Sequence, residues 1–303
     1  MASESNSTPD KLVLNPYLGL SNAIDFAEFA KKVFNAQDKQ KKLSPDGKQV
    51  MHGIVNISGT DVMYSDATKD KGYMNSGLMV YVENSDETYK KALAEGATSV
   101  MEPSDQSYGR ASGAKDPFGT TWWITSVIKK AGDGEGKEYQ TLSGDKISIP
   151  ANYQGVMPYL LLKDAPKFSE FVQKVFDGKE TLNVKRDDGT TIMHAEVSVE
   201  GYTIMFSEAS EQWGGPAPGA VGITCENVDD IYKKALEAGG TSTMEPAEYP
   251  WGRFCGFKDT CGNTWWLNNP PKSGKRPASE EGGASEDPET KEPDTEKKVK
   301  TDA

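Results

Sequence analysis

The chain has 303 residues, 36% hydrophobic and 26% charged, with a net charge of −12 and a pI near 4.8. That length holds two ordinary domains, and the acidic balance argues against nucleic acid or an anionic membrane surface as partner. No apolar run approaches a bilayer span, and the head MASESNSTPD lacks the apolar core and basic flank of a secretory signal.

In chain order, residues 1–11 are expected to be disordered. A strand opens at Asn15-Pro16-Tyr17, and residues 22–35 place Phe26, Phe29, Ala30, Val33 and Phe34 on one helical face behind the natural N-cap Asn22. A strand at 50–58 alternates, with Met51, Val55 and Ile57 expected under the helices and His52 and Asn56 on the other face. A second helix follows Asn84, runs through Tyr89, Ala92 and Leu93, and stops at Gly96. The turn Asp116-Pro117-Phe118-Gly119 introduces a last strand, Thr120 to Val127.

The same series then repeats. NPYLGL returns as MPYLLL, and His52 and Gly59 return as His194 and Gly201, an offset of 142. YKKALAEG returns as YKKALEAG and the Trp122-Trp123 pair as Trp265-Trp266, an offset of 143. The second copy has its own helix face of Phe168, Phe171, Val172, Val175 and Phe176 behind Asp164. A further helix follows Asn227, passes Tyr232, Ala235 and Leu236, and stops at Gly239. The chain is a duplication, with copies at 12–127 and 153–269 joined by a polar linker at 128–152. Residues 270–303 are rich in Glu, Lys, Pro, Ser and Gly, and are expected to form a disordered charged tail.

Each copy reads as two βαβββ halves, an α+β class. The Pro-Tyr strand, the F-x-x-F helix, the Met-His strand and the D-P-x-G-x-x-W segment together resemble the PhnB-like branch of the glyoxalase/bleomycin-resistance/extradiol-dioxygenase (vicinal oxygen chelate) superfamily. The resemblance implies tandem domains, each curling its halves into a cup with helices outside. It also implies four metal-ligand positions per cup, which fall on Asn15 and Met157, near Tyr64 and Phe206, near Gly77 and Ala220, and on Trp123 and Trp266. None of these is His, Glu, Asp or Cys, so no metal and no other cofactor is expected.

The strand phases then point Thr121, Trp123 and Thr125 into the cup and Trp122 and Ile124 under the helices. The candidate ligand-binding residues are Asn15, Tyr17, His52, Tyr64, Arg110 and Trp123 in the first copy. Those of the second are Tyr159, His194, Glu196, Phe206, Arg253 and Trp266, with His194 and Glu196 as candidate catalytic residues. Apolar walls with a few convergent polar groups suit a small hydrophobic or aromatic molecule.

The leading expectation is a metal-independent binding protein. The alternatives are an enzyme of the lyase, isomerase or dioxygenase type, and a scaffold with both cups closed by tryptophan. Bland readings stand beside these: the histidines as structural residues, and Arg110 and Arg253 as partners of acidic turn residues. Fusing two copies of a commonly dimeric domain suggests an internal pairing that mimics a homodimer. Three cysteines without a C-x-x-C pair, Cys225, Cys255 and Cys261, suit a reducing, cytoplasmic address.

Overall fold

The computed structural model describes residues 12–68, 72–74, 76–126, 153–211 and 215–271, and the backbone of two strands between the copies. The disorder expected for 1–11 and for the tail from 272 lies outside the described residues, as does the rest of the linker.

Each copy is built from two βαβββ units. The first copy runs β1 (Val13–Leu20), α1 (Ala23–Phe34), β2 (Gln37–Leu43), β3 (Val50–Ile57), β4 (Thr60–Asp66), then β5 (Gly77–Val82), α2 (Ser85–Ala94), β6 (Thr98–Gln106), β7 (Gly109–Lys115) and β8 (Thr121–Ser126). An antiparallel pair, β9 (Lys137–Gln140) and β10 (Lys146–Ile149), lies within the linker. The second copy runs β11 (Val156–Leu162), α3 (Ala165–Phe176), β12 (Lys179–Lys185), β13 (Ile192–Val199), β14 (Tyr202–Glu208), then β15 (Ala220–Thr224), α4 (Val228–Glu237), β16 (Thr241–Tyr249), β17 (Gly252–Lys258) and β18 (Thr264–Asn269).

These units form two eight-stranded sheets, each joining halves of different copies. One has the order β16-β17-β18-β15-β1-β4-β3-β2, and the other β12-β13-β14-β11-β5-β8-β7-β6. The joints are antiparallel: Asn15 of β1 lies opposite Gly222 of β15, and Met157 of β11 opposite Met79 of β5. The fold class is the expected pair of glyoxalase-type units, but neither cup belongs to one copy. Cup A takes the first half of copy one and the second half of copy two; cup B takes the other two halves.

The helix-side cores do follow the copies. Phe26, Phe29, Val33 and Phe34 of α1 pack with Leu18, Val55 and Tyr64 of one sheet and with Leu78, Val80 and Trp122 of the other. Phe168, Phe171, Val172 and Val175 of α3 do the same with Leu160 and Phe206, and with Val221 and Trp265. Each copy's core thus bridges both sheets, which is why the exchange leaves each helix pair with its own repeat. Residues 12–127 expressed alone should keep that core but expose the edges of β1 and β5. They are expected to pair as homodimers in sedimentation velocity; a stable monomer would count against the exchanged sheets.

Local details depart from the sequence pattern in places. Met51 and Met193 are exposed, because a β-bulge between β2 and β3, and again between β12 and β13, turns Val50 and Ile192 inward instead. Leu93 and Leu236 of the second helix in each copy are also exposed. Asn84 caps α2 by accepting from Glu87 N, and Asp164 caps α3 by accepting from Lys167 N. Asn22 instead donates to Asp25, and Asp66 of β4 accepts from Ala23 N at the start of α1.

The turn before each last strand is held by a buried carboxylate. Asp116 Oδ1 accepts from Phe118 N at 2.9 Å and Thr120 N at 2.8 Å, and Oδ2 accepts from Trp122 Nε1 at 2.9 Å. Asp259 repeats this arrangement with Cys261, Asn263 and Trp265. Burial raises the Asp116 carboxyl to about 6, against the lowering effect of those donors.

Candidate functional site

Alternation along the strands decides what each cup contains. On β8, Trp122 and Ile124 lie in the helix-side core while Trp123 and Thr125 face cup B. Trp123 lies across Gly113 of β7, where a Cβ would meet its Cζ3 at 2.9 Å; Trp266 lies across Gly256 of β17 in the same way, at 2.4 Å. Glycine at these two positions lets each indole lie flat on its sheet.

Cup B holds a cavity of about 770 Å³. Its walls carry the rings of Tyr81, Tyr108, Trp123, Tyr153 and Tyr159 and the thioethers of Met79, Met101 and Met205. A hydrogen-bonded chain crosses it. Tyr159 Oη lies 3.1 Å from His194 Nδ1, His194 Nε2 lies 3.1 Å from Glu196 Oε1, and the Tyr153 hydroxyl donates to the same Oε1. Glu196 is only 4% exposed, and its Oε2 takes no hydrogen bond among the described residues. Burial pushes the Tyr159 phenol up to about 12 and raises that of Tyr153 too, so both remain donors at neutral pH.

Cup A is built from the same positions with different side chains. Tyr17 lies 6.2 Å from His52 and 6.4 Å from Trp266, between ring centroids, and donates to Ser65 Oγ at 3.1 Å. Phe254 stacks on Trp266 at 5.7 Å, Tyr249 meets Phe254 edge-on, Trp251 stacks on Tyr249 at 4.9 Å, and Lys42 Nζ sits over Trp251. The repeat aligns Phe254 with Ala111 and Tyr249 with Gln106. The rings that crowd cup A are therefore missing from cup B. Ile54 of cup A aligns with Glu196, so the carboxylate is also on one side alone.

Of the residues singled out from sequence, Trp123, Tyr159, His194 and Glu196 come together at the cavity. Asn15, Tyr17, His52 and Trp266 lie in the other cup. The grouping by copy, which set Trp123 beside His52 and Trp266 beside Glu196, is corrected by the sheet order.

Tyr64 and Phe206 face no cup. Both are fully buried under the helices, against Phe26 and Phe168 respectively, and the cup-facing neighbours are Met63 and Ser65, Met205 and Ser207. A one-residue slip on a strand reverses the face. Gly53 accommodates the Tyr64 ring, since a Cβ there would meet Cζ at 2.3 Å.

Arg110 and Arg253 are also corrected, because they share the helix-side phase of their strands. Arg110 grips Asp86 at the first turn of α2 through Nε at 2.6 Å and Nη2 at 2.8 Å, and Arg253 grips Asp229 on α4. The guanidinium holds the Asp86 carboxyl below its ordinary value. Tyr81, Tyr108, Tyr153, Arg186 and the cavity methionines were not singled out from sequence. The alternation of β5 signals Met79 and Tyr81; nothing in the repeat signals Tyr153, which follows the linker.

The ion implied by the fold resemblance does not fit this donor set. At the joint of cup B, Met157 faces Met79, which pairs in turn with Trp123; cup A has Asn15, Gly222 and Trp266 at those places. Thioether and indole groups are poor ligands for hard divalent ions. Among the described residues, no cluster of three or more His, Cys, Asp or Glu side chains is placed to hold one.

Paired βαβββ units that share cup-forming sheets define a class of protein, and sequence comparison agrees with the geometry. The family model for the glyoxalase/bleomycin resistance protein/dioxygenase superfamily matches residues 156–267. An uncharacterized protein of Mycobacterium bovis is 31% identical over 124 residues, 37% of this chain and 81% of that protein. One of Mycobacterium tuberculosis is 29% identical over 151 residues, 43% and 88% respectively. This chain belongs to the glyoxalase/bleomycin resistance protein/dioxygenase superfamily.

Among solved structures, glyoxalase I from Zea mays aligns over 85% of this chain and 93% of its own, with a TM-score of 0.61 at 13% identity. A putative dioxygenase from Bacillus subtilis aligns over 88% and 87%, with a TM-score of 0.54 at 9% identity. At these identities the likeness is one of fold.

Proposed function

We propose that this chain binds a small aromatic molecule in cup B, without a metal ion or other cofactor. The observation that carries the reading is the cavity of about 770 Å³, walled by rings and thioethers around one buried, hydrogen-bonded carboxylate. Its size lies within the range of small-molecule sites. Methionine walls adapt to ligand shape, and ring stacking contributes on the order of 1 kcal/mol per contact. We place the protein in the cytoplasm: Cys225, Cys255 and Cys261 are free thiols, and no helix among the described residues is long and apolar enough to cross a membrane.

Titration with quinoline is expected to quench tryptophan emission equally with and without EDTA. Trp123→Phe should remove most of the quenched amplitude, because Trp123 is the one indole among the described residues that line this cavity. Stoichiometric zinc, nickel, iron or manganese in the purified protein would overturn the metal-free reading.

The Tyr159–His194–Glu196 chain favours a second reading, a lyase or isomerase that moves a proton without metal. Once a turned-over compound is found, His194→Ala and Glu196→Ala should each abolish turnover. Unchanged rates would leave binding alone.

A further inference from the structure

We infer that cup B selects an organic cation: a flat aromatic body carrying a fixed or protonated nitrogen, seated with that nitrogen toward Glu196 and its faces against the surrounding rings. This rests on the binding reading above and adds the charge of the ligand to it.

Glu196 ends the hydrogen-bonded chain that crosses cup B. The Tyr153 hydroxyl donates to Glu196 Oε1, and Glu196 is buried. Tyr159 Oη lies 3.1 Å from His194 Nδ1, and His194 Nε2 lies 3.1 Å from Glu196 Oε1. Glu196 thus places a buried carboxylate among the rings and thioethers that line the cup.

The other charged groups lining the cavity do not cancel it. Arg186 sits in the loop after β12, where Nη2 donates to the Glu208 carbonyl oxygen, and its neighbour Asp187 lines the same cavity. Glu196, Asp187 and Arg186 together leave the lining net negative.

Burying a carboxylate is costly, so a site that keeps one invites a cation to it. The rings point the same way. Tyr81, Tyr108, Trp123, Tyr153 and Tyr159 line one cavity, and aromatic faces attract cations through their quadrupoles. Tyr81 and Tyr153 lie 6.0 Å apart between ring centroids, as do Trp123 and Tyr159, and Tyr153 also donates to Glu196. The absence of both features from cup A strengthens the inference. There Ile54 replaces Glu196, and Phe254 and Tyr249 stand where cup B has Ala111 and Gln106.

The test compares three probes of one shape on the full chain: 1-methylquinolinium, quinoline (uncharged at neutral pH) and naphthalene-2-carboxylate. Each is titrated against tryptophan emission and checked by calorimetry. The cation is expected to bind at least tenfold more tightly than quinoline, and the anion more weakly than either. Glu196→Gln should bring the cation to the level of quinoline, and an unchanged near-ultraviolet circular dichroism spectrum and urea midpoint should show that the variant is folded. Equal or reversed preference, or a cation affinity untouched by Glu196→Gln, overturns the charge inference and leaves the binding reading standing. Failure of all three probes to bind overturns both.

Discussion

Replacing Ala111 with Phe and Gln106 with Tyr is expected to weaken binding of 1-methylquinolinium at least a hundredfold, with little change in the fold. The two substitutions copy cup A's own Phe254 and Tyr249 onto the equivalent positions of β7 and β6. In cup A Phe254 stacks on Trp266 and Tyr249 meets Phe254 edge-on; in cup B they would occupy the space above Trp123. Because the donor cup already accommodates this arrangement on the same backbone, the variant should unfold close to the wild-type midpoint in urea. The reciprocal pair, Phe254→Ala with Tyr249→Gln, should create space in cup A without conferring cation preference, because Ile54 stands where Glu196 does. Undiminished binding in the first variant would mean that the ligand sits elsewhere.

The largest loss of stability is expected at the carboxylate turns. Asp116→Ala removes the acceptor of three buried donors, on Phe118, Thr120 and Trp122. A buried donor left unpaired costs about 1–3 kcal/mol, and partial relaxation of the turn leaves an expected loss of about 3–5 kcal/mol. Trp122 fills the core between α1 and both sheets, so the lost bond loosens the packing of the whole repeat.

The pH dependence has a definite sign. The folded Asp116 carboxyl is raised by burial to about 6 from an ordinary 3.8, so the folded state binds its proton more tightly than the unfolded chain does. Its contribution is therefore fully present below about 4 and is lost as pH rises through about 6. Asp116→Asn should flatten that part of the stability profile in denaturant titrations from pH 4 to 7. A wild-type profile that rises across this window, and is unchanged in the variant, would contradict the assignment.

The duplication, the helix faces, the Asp turns and the burial of Trp122 beside a cup-facing Trp123 were legible because they depend on local periodicity. Alternation along one strand separates the two faces whatever the strand pairs with, and Phe26, Phe29 and Val33 define a stripe on α1 before it meets anything. The same reasoning failed wherever register entered. Tyr64 and Phe206 differ by one residue from the cup-facing positions, and only pairing with β3 and β13 shows which phase is which. Bulges at Met51 and Met193 broke an alternation that looked clean.

Sequence by itself determined that this protein is a doubled βαβββ chain of the superfamily type, with a cup-facing tryptophan on the closing strand of each copy. Only the tertiary structure decided which halves share a cup. Local hydrogen bonding is equally satisfied whether β1 continues into β5 or into β15; the choice depends on how two cores pack between two sheets, a property no single segment carries. The exchange brings Glu196 and His194 of one copy together with Trp123, Ala111 and Tyr108 of the other, leaving one cup crowded by rings and the other with a cavity around a carboxylate.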